Sequence, residues 1–244
     1  MPQGFDIFAR IVLLPLLLVQ GLIVRARALA LPEAAGPRRG SLGHGPKLRV
    51  LMVGDSSAAG VGADTQDNAL IGHVTRNLAA THRVDWTLFA KTGATTASTL
   101  DRLRQLPLAD FDVAIVVLGV NDATRFVGLS KWLGLQQTLT RRLRSEFGAQ
   151  HVFVSALPPL GQFPLLPHPL AWVLGRHATR LDNAQKSRCA GAPALHYVPM
   201  ELDLDTSAMA PDGFHPGPAV YAAWGVGMAE FIRRTLGNLP AARS

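Results

Sequence analysis

Five short, nearly continuous apolar runs punctuate the chain, at 48–53, 84–90, 113–118, 151–156 and 195–198. Runs of this length, apolar on both faces, are how strands buried in a parallel sheet read. Between them lie longer stretches of helical period, at about 67–82, 95–105, 130–147 and 169–188. A last one runs from Pro216 to about Leu236, with proline in the first turn, where its missing N–H costs nothing. Strand and helix alternate, which predicts βαβ units and an α/β fold with a mostly parallel, doubly wound sheet of about five strands. No internal repeat interrupts the pattern.

The segment ahead of this body is different. Residues 11–24 are almost purely apolar, broken by Pro15, Gln20 and Gly21. Fourteen residues at helical rise cover about 21 Å, short of the ~30 Å of a bilayer's hydrocarbon core. Arg10 before the run and Ala28-Leu29-Ala30 after it supply the three parts of a secretory signal. Arg25 and Arg27, however, fall between the run and the small-residue site, where export signals are usually uncharged. With Arg38 and Arg39 they favour a cytoplasmic downstream side. A helix packed on the domain or lying in a bilayer surface is the other reading. Membrane contact through residues 11–24, or export to the envelope, is expected; a cytoplasmic location is the alternative. Residues 31–46, rich in Pro, Gly and Arg, read as a linker, 47–238 as the domain and 239–244 as a tail.

Composition narrows the function classes. With 244 residues, 48% hydrophobic and 17% charged, the chain has material for one large core and is not disordered. The net charge of +7 invites a nucleic-acid reading, but residues 1–49 carry +5 of it. The basicity therefore flanks the apolar run, without the interleaved aromatics a single-strand binder needs, and no nucleic-acid partner is expected. A lone Cys189 excludes a disulfide framework, and the histidines outside the 212–215 block lack paired metal spacing. No metal and no cofactor are expected. Oligomeric state is left open.

In sheets of this kind ligands bind beyond the carboxyl ends of the strands, so the loops after the strands belong together. They read Gly54-Asp55-Ser56-Ser57, Lys91-Thr92-Gly93-Ala94-Thr95 and Gly119-Val120-Asn121-Asp122, and Asp212-Gly213-Phe214-His215 precedes the last helix. These are the parts for acyl transfer. A serine hydroxyl is a weak nucleophile until a base takes its proton. His215 is the candidate base, because an imidazole is both neutral and basic near neutral pH. Asp212 could hold its tautomer, and the Ser56 N–H, Gly93 N–H and Asn121 side-chain amide could receive an oxyanion. A glycine at 93 would also keep a side chain out of the substrate's path. Taken singly, each residue has a plainer reading: Ser56 as a helix cap, Gly93 as a turn, Asn121, Asp122 and Asp55 as loop hydrogen-bonders, and His215 as a helix-start residue.

Together, in order, the G-D-S-S, T-G-A-T-T, G-V-N-D and D-G-F-H blocks resemble the four blocks of the SGNH hydrolases, also called the GDSL-like esterase/lipase family. The resemblance spans about residues 48–236 and implies a flavodoxin-like three-layer α/β/α fold with metal-independent hydrolysis of carboxylic esters or thioesters. It implies Ser56 as nucleophile, Asp212 and His215 completing the triad, and Ser56, Gly93 and Asn121 forming the oxyanion hole. Ser57 stands where the nickname motif has Leu, so two adjacent hydroxyls must be told apart. A carbohydrate O-acetyl esterase or acyltransferase on the same machinery is the nearest rival, and an inactive membrane-tethered binding module a more distant one.

The loop 157–172 carries five prolines and leaves the same sheet edge. Its Leu157, Pro158, Phe163 and Leu165 are candidates to line a pocket for a small-molecule or lipid-like ester, or else a rigid wall over the sheet. Phe126, Val127 and Leu129 are secondary candidates.

Overall fold

A computed structural model describes residues 3–27, 29–200 and 208–237; Ala28 of the small-residue site and the 239–244 tail lie outside the described residues. Six strands form one sheet: β1 (Arg39–Leu42), β2 (Lys47–Gly54), β3 (Arg83–Ala90), β4 (Val113–Val117), β5 (His151–Ser155) and β6 (Leu195–Val198). Their spatial order is β1-β3-β2-β4-β5-β6, with every pair parallel except β1–β3. The helices are α1 (Gln3–Arg27), α2 (Leu70–Leu78), α3 (Thr96–Arg102), α4 (Val120–Thr124), α5 (Leu129–Ser145), α6 (Leu170–Ala190) and α7 (Pro218–Gly237).

Side chains alternate across a strand, and here the alternation divides the core into two layers. Val50 and Met52 of β2 join Ile71 and Val74 of α2 and Trp224 and Met228 of α7 on one face. Leu51 and Val53 join Leu100 of α3 and Leu139 and Leu143 of α5 on the other. All four β2 residues have no exposed surface, which is why 50–53 reads as an unbroken apolar run. From β2 the chain moves to β3 on one side and then crosses to β4 on the other. The reversal leaves a crevice at the carboxyl ends of β2 and β4, where open α/β sheets bind ligands.

The structure departs from the sequence pattern in three places. The stretch 31–46 is not a plain linker. It holds β1, whose Arg-Gly-Ser-Leu has no apolar run and joins the edge by backbone pairing with β3, helped by the Ser41 hydroxyl donating to Asp85 at 2.6 Å and by half-buried Leu42. Upstream of it, the Gln66 side chain donates to the Ala34 carbonyl at 3.0 Å, and Glu33 accepts from the Thr92 amide at 2.7 Å and hydroxyl at 2.8 Å. Second, the periodic stretch at 67–82 is helical only from 70 to 78, because 65–69 turns back on itself through the Asn68 and Ala69 amides. Third, α4 is too short to show a period, yet it carries Asn121.

The apolar segment 11–24 lies within α1, docked on the body. Leu17 is buried, Leu13 and Val24 are half-buried, and the Gln20 amide spans the start of α6, donating to the His168 carbonyl at 2.7 Å and accepting from the Leu170 amide at 3.1 Å. The outer row, Val12, Leu14, Leu16, Leu18, Val19, Leu22 and Ile23, is 42–68% exposed. Among the described residues, no helix is long and apolar enough to cross a membrane.

Candidate active site

Ser56 sits two residues beyond β2, in a turn fixed by its neighbours. The Asp55 carboxylate accepts from the Ser57 amide at 3.0 Å, an Asx-type turn, and the Ala59 and Val61 amides reach back to the Asp55 and Ser56 carbonyls at 2.9 and 3.0 Å. Tyr221 of α7, fully buried, donates its hydroxyl to the Val61 carbonyl at 2.7 Å and ties this turn to the last helix. Gly62 lets the two catalytic loops meet: at φ +98°, a Cβ there would lie 2.3 Å from the Pro216 carbonyl oxygen.

That approach brings His215 to Ser56. Its Nε2 lies 2.8 Å from Ser56 Oγ and its Nδ1 lies 2.5 Å from Asp212 Oδ2. The other Asp212 oxygen accepts from the Phe214 and His215 amides, both at 3.0 Å. Burial works against the Asp212 charge, but the imidazole and the two amides outweigh it and hold its carboxyl below the ordinary carboxylate pKa. With Nδ1–H directed at the carboxylate, a neutral imidazole presents the Nε2 lone pair to the serine. The line of bonds can carry a proton from Ser56 Oγ to Nε2 within the range general-base catalysis needs. Of the two adjacent hydroxyls, it is that of Ser56 which meets the imidazole.

The other two blocks arrive through shared bonds. The Asn121 amide donates to the Ala94 carbonyl at 3.1 Å and, at 3.5 Å, to Asp55 Oδ2. It thereby bridges the neighbour of Gly93 to the neighbour of Ser56. Gly93 adopts φ +74°, and a Cβ there would meet no protein atom within 4 Å. A side chain at 93 would thus face open space, and what the turn demands of the residue is the positive φ. Asp122 accepts from the Thr96 amide and hydroxyl at 3.0 and 2.9 Å, bracing α3 against α4. Two buried carboxyls therefore flank Asn121. Burial pushes Asp55 up to about 7, with Asp122 adding to the rise and the Ser57 amide opposing it. Burial likewise raises Asp122 against its Thr96 bonds.

A cavity opens against Ser56. Leu157, Pro158 and Phe163 line it; Leu165 does not, and its backbone amide donates to the Gly213 carbonyl at 3.2 Å. Nor do Phe126, Val127 and Leu129: the Phe126 ring lies against His177, and the other two pack with the α6 cluster. The remaining walls include Val117, Met200, Met209, Phe214 and Trp224. Phe214 lies inside the 212–215 block, but no local motif marks the other four, which converge from β4, the stretch after β6, the loop before α7 and α7 itself.

A sheet covered by helices on both faces, with a serine, an imidazole and a carboxylate bonded in line at its switch point, defines an α/β protein of three layers. The model of the GDSL-like Lipase/Acylhydrolase family matches residues 52–223, and the chain belongs to that family. Among curated proteins it is 26% identical over 185 residues to the GDSL-like esterase Rv1075c of Mycobacterium tuberculosis, a match that covers 72% of this chain and 58% of that relative's length. Solved structures share the fold. The psychrotrophic esterase EstA from Pseudoalteromonas sp. matches at TM-score 0.60 and 18% identity, over 78% of this chain and 99% of that one. The lipase/acylhydrolase from Enterococcus faecalis matches at 0.55 and 21%, over 81% and 100%. A family two carbohydrate esterase from Clostridium thermocellum, solved with cellohexaose, matches at 0.60 and 16%, over 86% and 68%.

Proposed function

We propose that the protein is a serine esterase that hydrolyses carboxylic esters, thioesters included, through an acyl-enzyme. The observation that carries this reading is the 2.8 Å contact between Ser56 Oγ and His215 Nε2, with Asp212 behind it. His215 removes the Ser56 proton as the oxygen attacks the ester carbonyl. The developing oxyanion is received by the Ser56 and Gly93 amides and the Asn121 side chain. His215, now protonated, gives its proton to the departing alcohol as the C–O bond breaks. Water then attacks the acyl-enzyme with His215 again as base, releasing the carboxylic acid and restoring Ser56. The family match over residues 52–223 and the relative named as an esterase support the reaction class.

Hydrolysis of p-nitrophenyl acetate by the wild type and by Ser56→Ala tests the reading. Turnover should vanish with the hydroxyl, and turnover unchanged in Ser56→Ala would sink it.

The outer row of α1 supports a second element of the reading, contact with a lipid surface. Seven large apolar side chains left in water on a docked helix, with residues 1–49 holding +5 of the chain's net +7, suit an interfacial position. Sedimentation of the full chain with anionic vesicles, and its loss in Leu18→Glu/Leu22→Glu, tests this contact separately from catalysis.

A further inference from the structure

The cavity against Ser56 has a volume of about 40 Å³. On that scale one water takes roughly 10–15 Å³, so the space holds about three water-sized groups, room for a short acyl chain and not for a long one. Behind it lies a second hollow of about 320 Å³, between the end of β6 and α7, lined by Val198, Pro199, Gly227 and Phe231. Met200 and Trp224 line both hollows and so form the wall between them. Trp224 is held on α7 at 6% exposure within the core cluster, and Met200 packs against the same cluster.

The site's geometry says which part of an ester enters the small cavity. With the carbonyl carbon at Ser56 Oγ, its oxygen points to Gly93 and Asn121, neither of which lines the cavity. The leaving oxygen must reach His215 Nε2, whose ring keeps 16% of its side-chain surface exposed, and the space beyond Gly93 is open. The alcohol therefore lies toward solvent, and the acyl substituent is left for the enclosed side. Resting on the esterase reading above, we infer that the substrates are short-chain acyl esters of alcohols whose size is unrestricted, and that Met200 and Trp224 set the acyl limit by closing off the hollow behind them. A hydrophobic pocket discriminates by about 10–200-fold per methylene in its tightest cases, so a wall at this depth is enough to exclude a medium chain.

The experiment uses the full chain and two substrate series: p-nitrophenyl acetate, butanoate and octanoate, and the acetates of methyl, benzyl and octyl alcohol. Wild-type kcat/KM should fall by about tenfold or more from acetate to octanoate in the first series, and by much less across the second. Met200→Ala, which joins the two hollows, should raise the octanoate-to-acetate ratio about tenfold. Trp224→Leu, checked for folding by circular dichroism, should move the ratio the same way. A wild type that prefers octanoate, or a ratio unmoved in Met200→Ala, overturns the inference and leaves the esterase reading standing. Turnover of any of these esters that survives Ser56→Ala overturns the esterase reading instead, and the inference with it.

Discussion

The two halves of the site are built differently. On the side of the proposed nucleophile the bonds run in line, Asp212 to His215 at 2.5 Å and His215 to Ser56 at 2.8 Å, with two amides pinning the carboxylate. On the side of the proposed oxyanion hole the Asn121 amide is already engaged by the Ala94 carbonyl at 3.1 Å and faces Asp55 at 3.5 Å. The first half is complete without substrate. The second must share or surrender a hydrogen bond when negative charge develops on the substrate. Preorganised donors owe their effect to needing no rearrangement at that moment, so the two halves should respond unequally to damage.

The largest separation is expected on the side that is already assembled. Asp212→Asn keeps the volume but removes the charge and allows the wrong imidazole tautomer, a change that costs about 10⁴ in kcat where the same arrangement operates. Asn121→Ala removes one donor of three and should cost about 10²–10³ in kcat with little change in KM. Steady-state kinetics on p-nitrophenyl acetate measures both. Equal losses would mean that the two halves are not separable in the way their bonding suggests.

The third expectation concerns the carboxyl that faces Asn121. Asp55 is held at about 7 by burial, against roughly 3.9 in an unfolded chain. Between those values the native state keeps a proton that the unfolded chain has released. The stability this contributes is fully present below about pH 4 and is lost as pH rises through about 7. Asp55→Asn keeps the acceptor for the Ser57 amide and removes the titration. Urea midpoints should therefore show the variant gaining on the wild type at pH 8, on the order of 2–4 kcal/mol, and little gain at pH 4.5. A difference independent of pH would mean that the buried carboxyl does not titrate in this window. No comparable strain loads the nucleophile half, where Asp212 is shifted in the direction that favours its charge.

How much of this the sequence carried follows from the range of each interaction. Ser56, Asn121, Asp212 and His215 each sit in a short block beyond a strand or before a helix, so residue type and position sufficed to single them out. The paired strands at the sheet's centre were legible because both faces of β2 and β4 are buried and the code is local. What holds Asn121 was not legible, since Asp55 and Ala94 lie 66 and 27 residues away, and Ala94 bonds through a backbone carbonyl that any loop residue could offer. The acyl wall was hidden for the same reason: Met200 and Trp224 are ordinary core residues until β6 and α7 place them side by side behind Ser56. The stretch 31–46 misled because its composition is that of a linker, while its ordering comes from edge pairing and from Glu33.

Glu33 gives the smallest and most selective test of the two halves. Its carboxylate accepts from both the amide and the hydroxyl of Thr92, and Arg38 bonds it from the other side at 2.5 Å. Thr92 immediately precedes Gly93, so this contact steadies the oxyanion turn from outside and touches nothing in the line from Asp212 to Ser56. Glu33→Ala should lower kcat by about three- to tenfold, a fraction of what losing a donor outright costs, with the global urea midpoint barely moved. If the loss acts through the turn, it should shrink or disappear in the Asn121→Ala background, where that half is already disabled, and persist in full in Asp212→Asn. The comparison also fixes where an N-terminal truncation can be made. Removing residues 1–30 spares Glu33 and should leave kcat within about twofold, whereas a cut through residue 46 removes Glu33 together with β1 and should reproduce at least the Glu33→Ala deficit. A Glu33→Ala loss of equal size in both backgrounds would show that the contact serves the fold at large and not the oxyanion half.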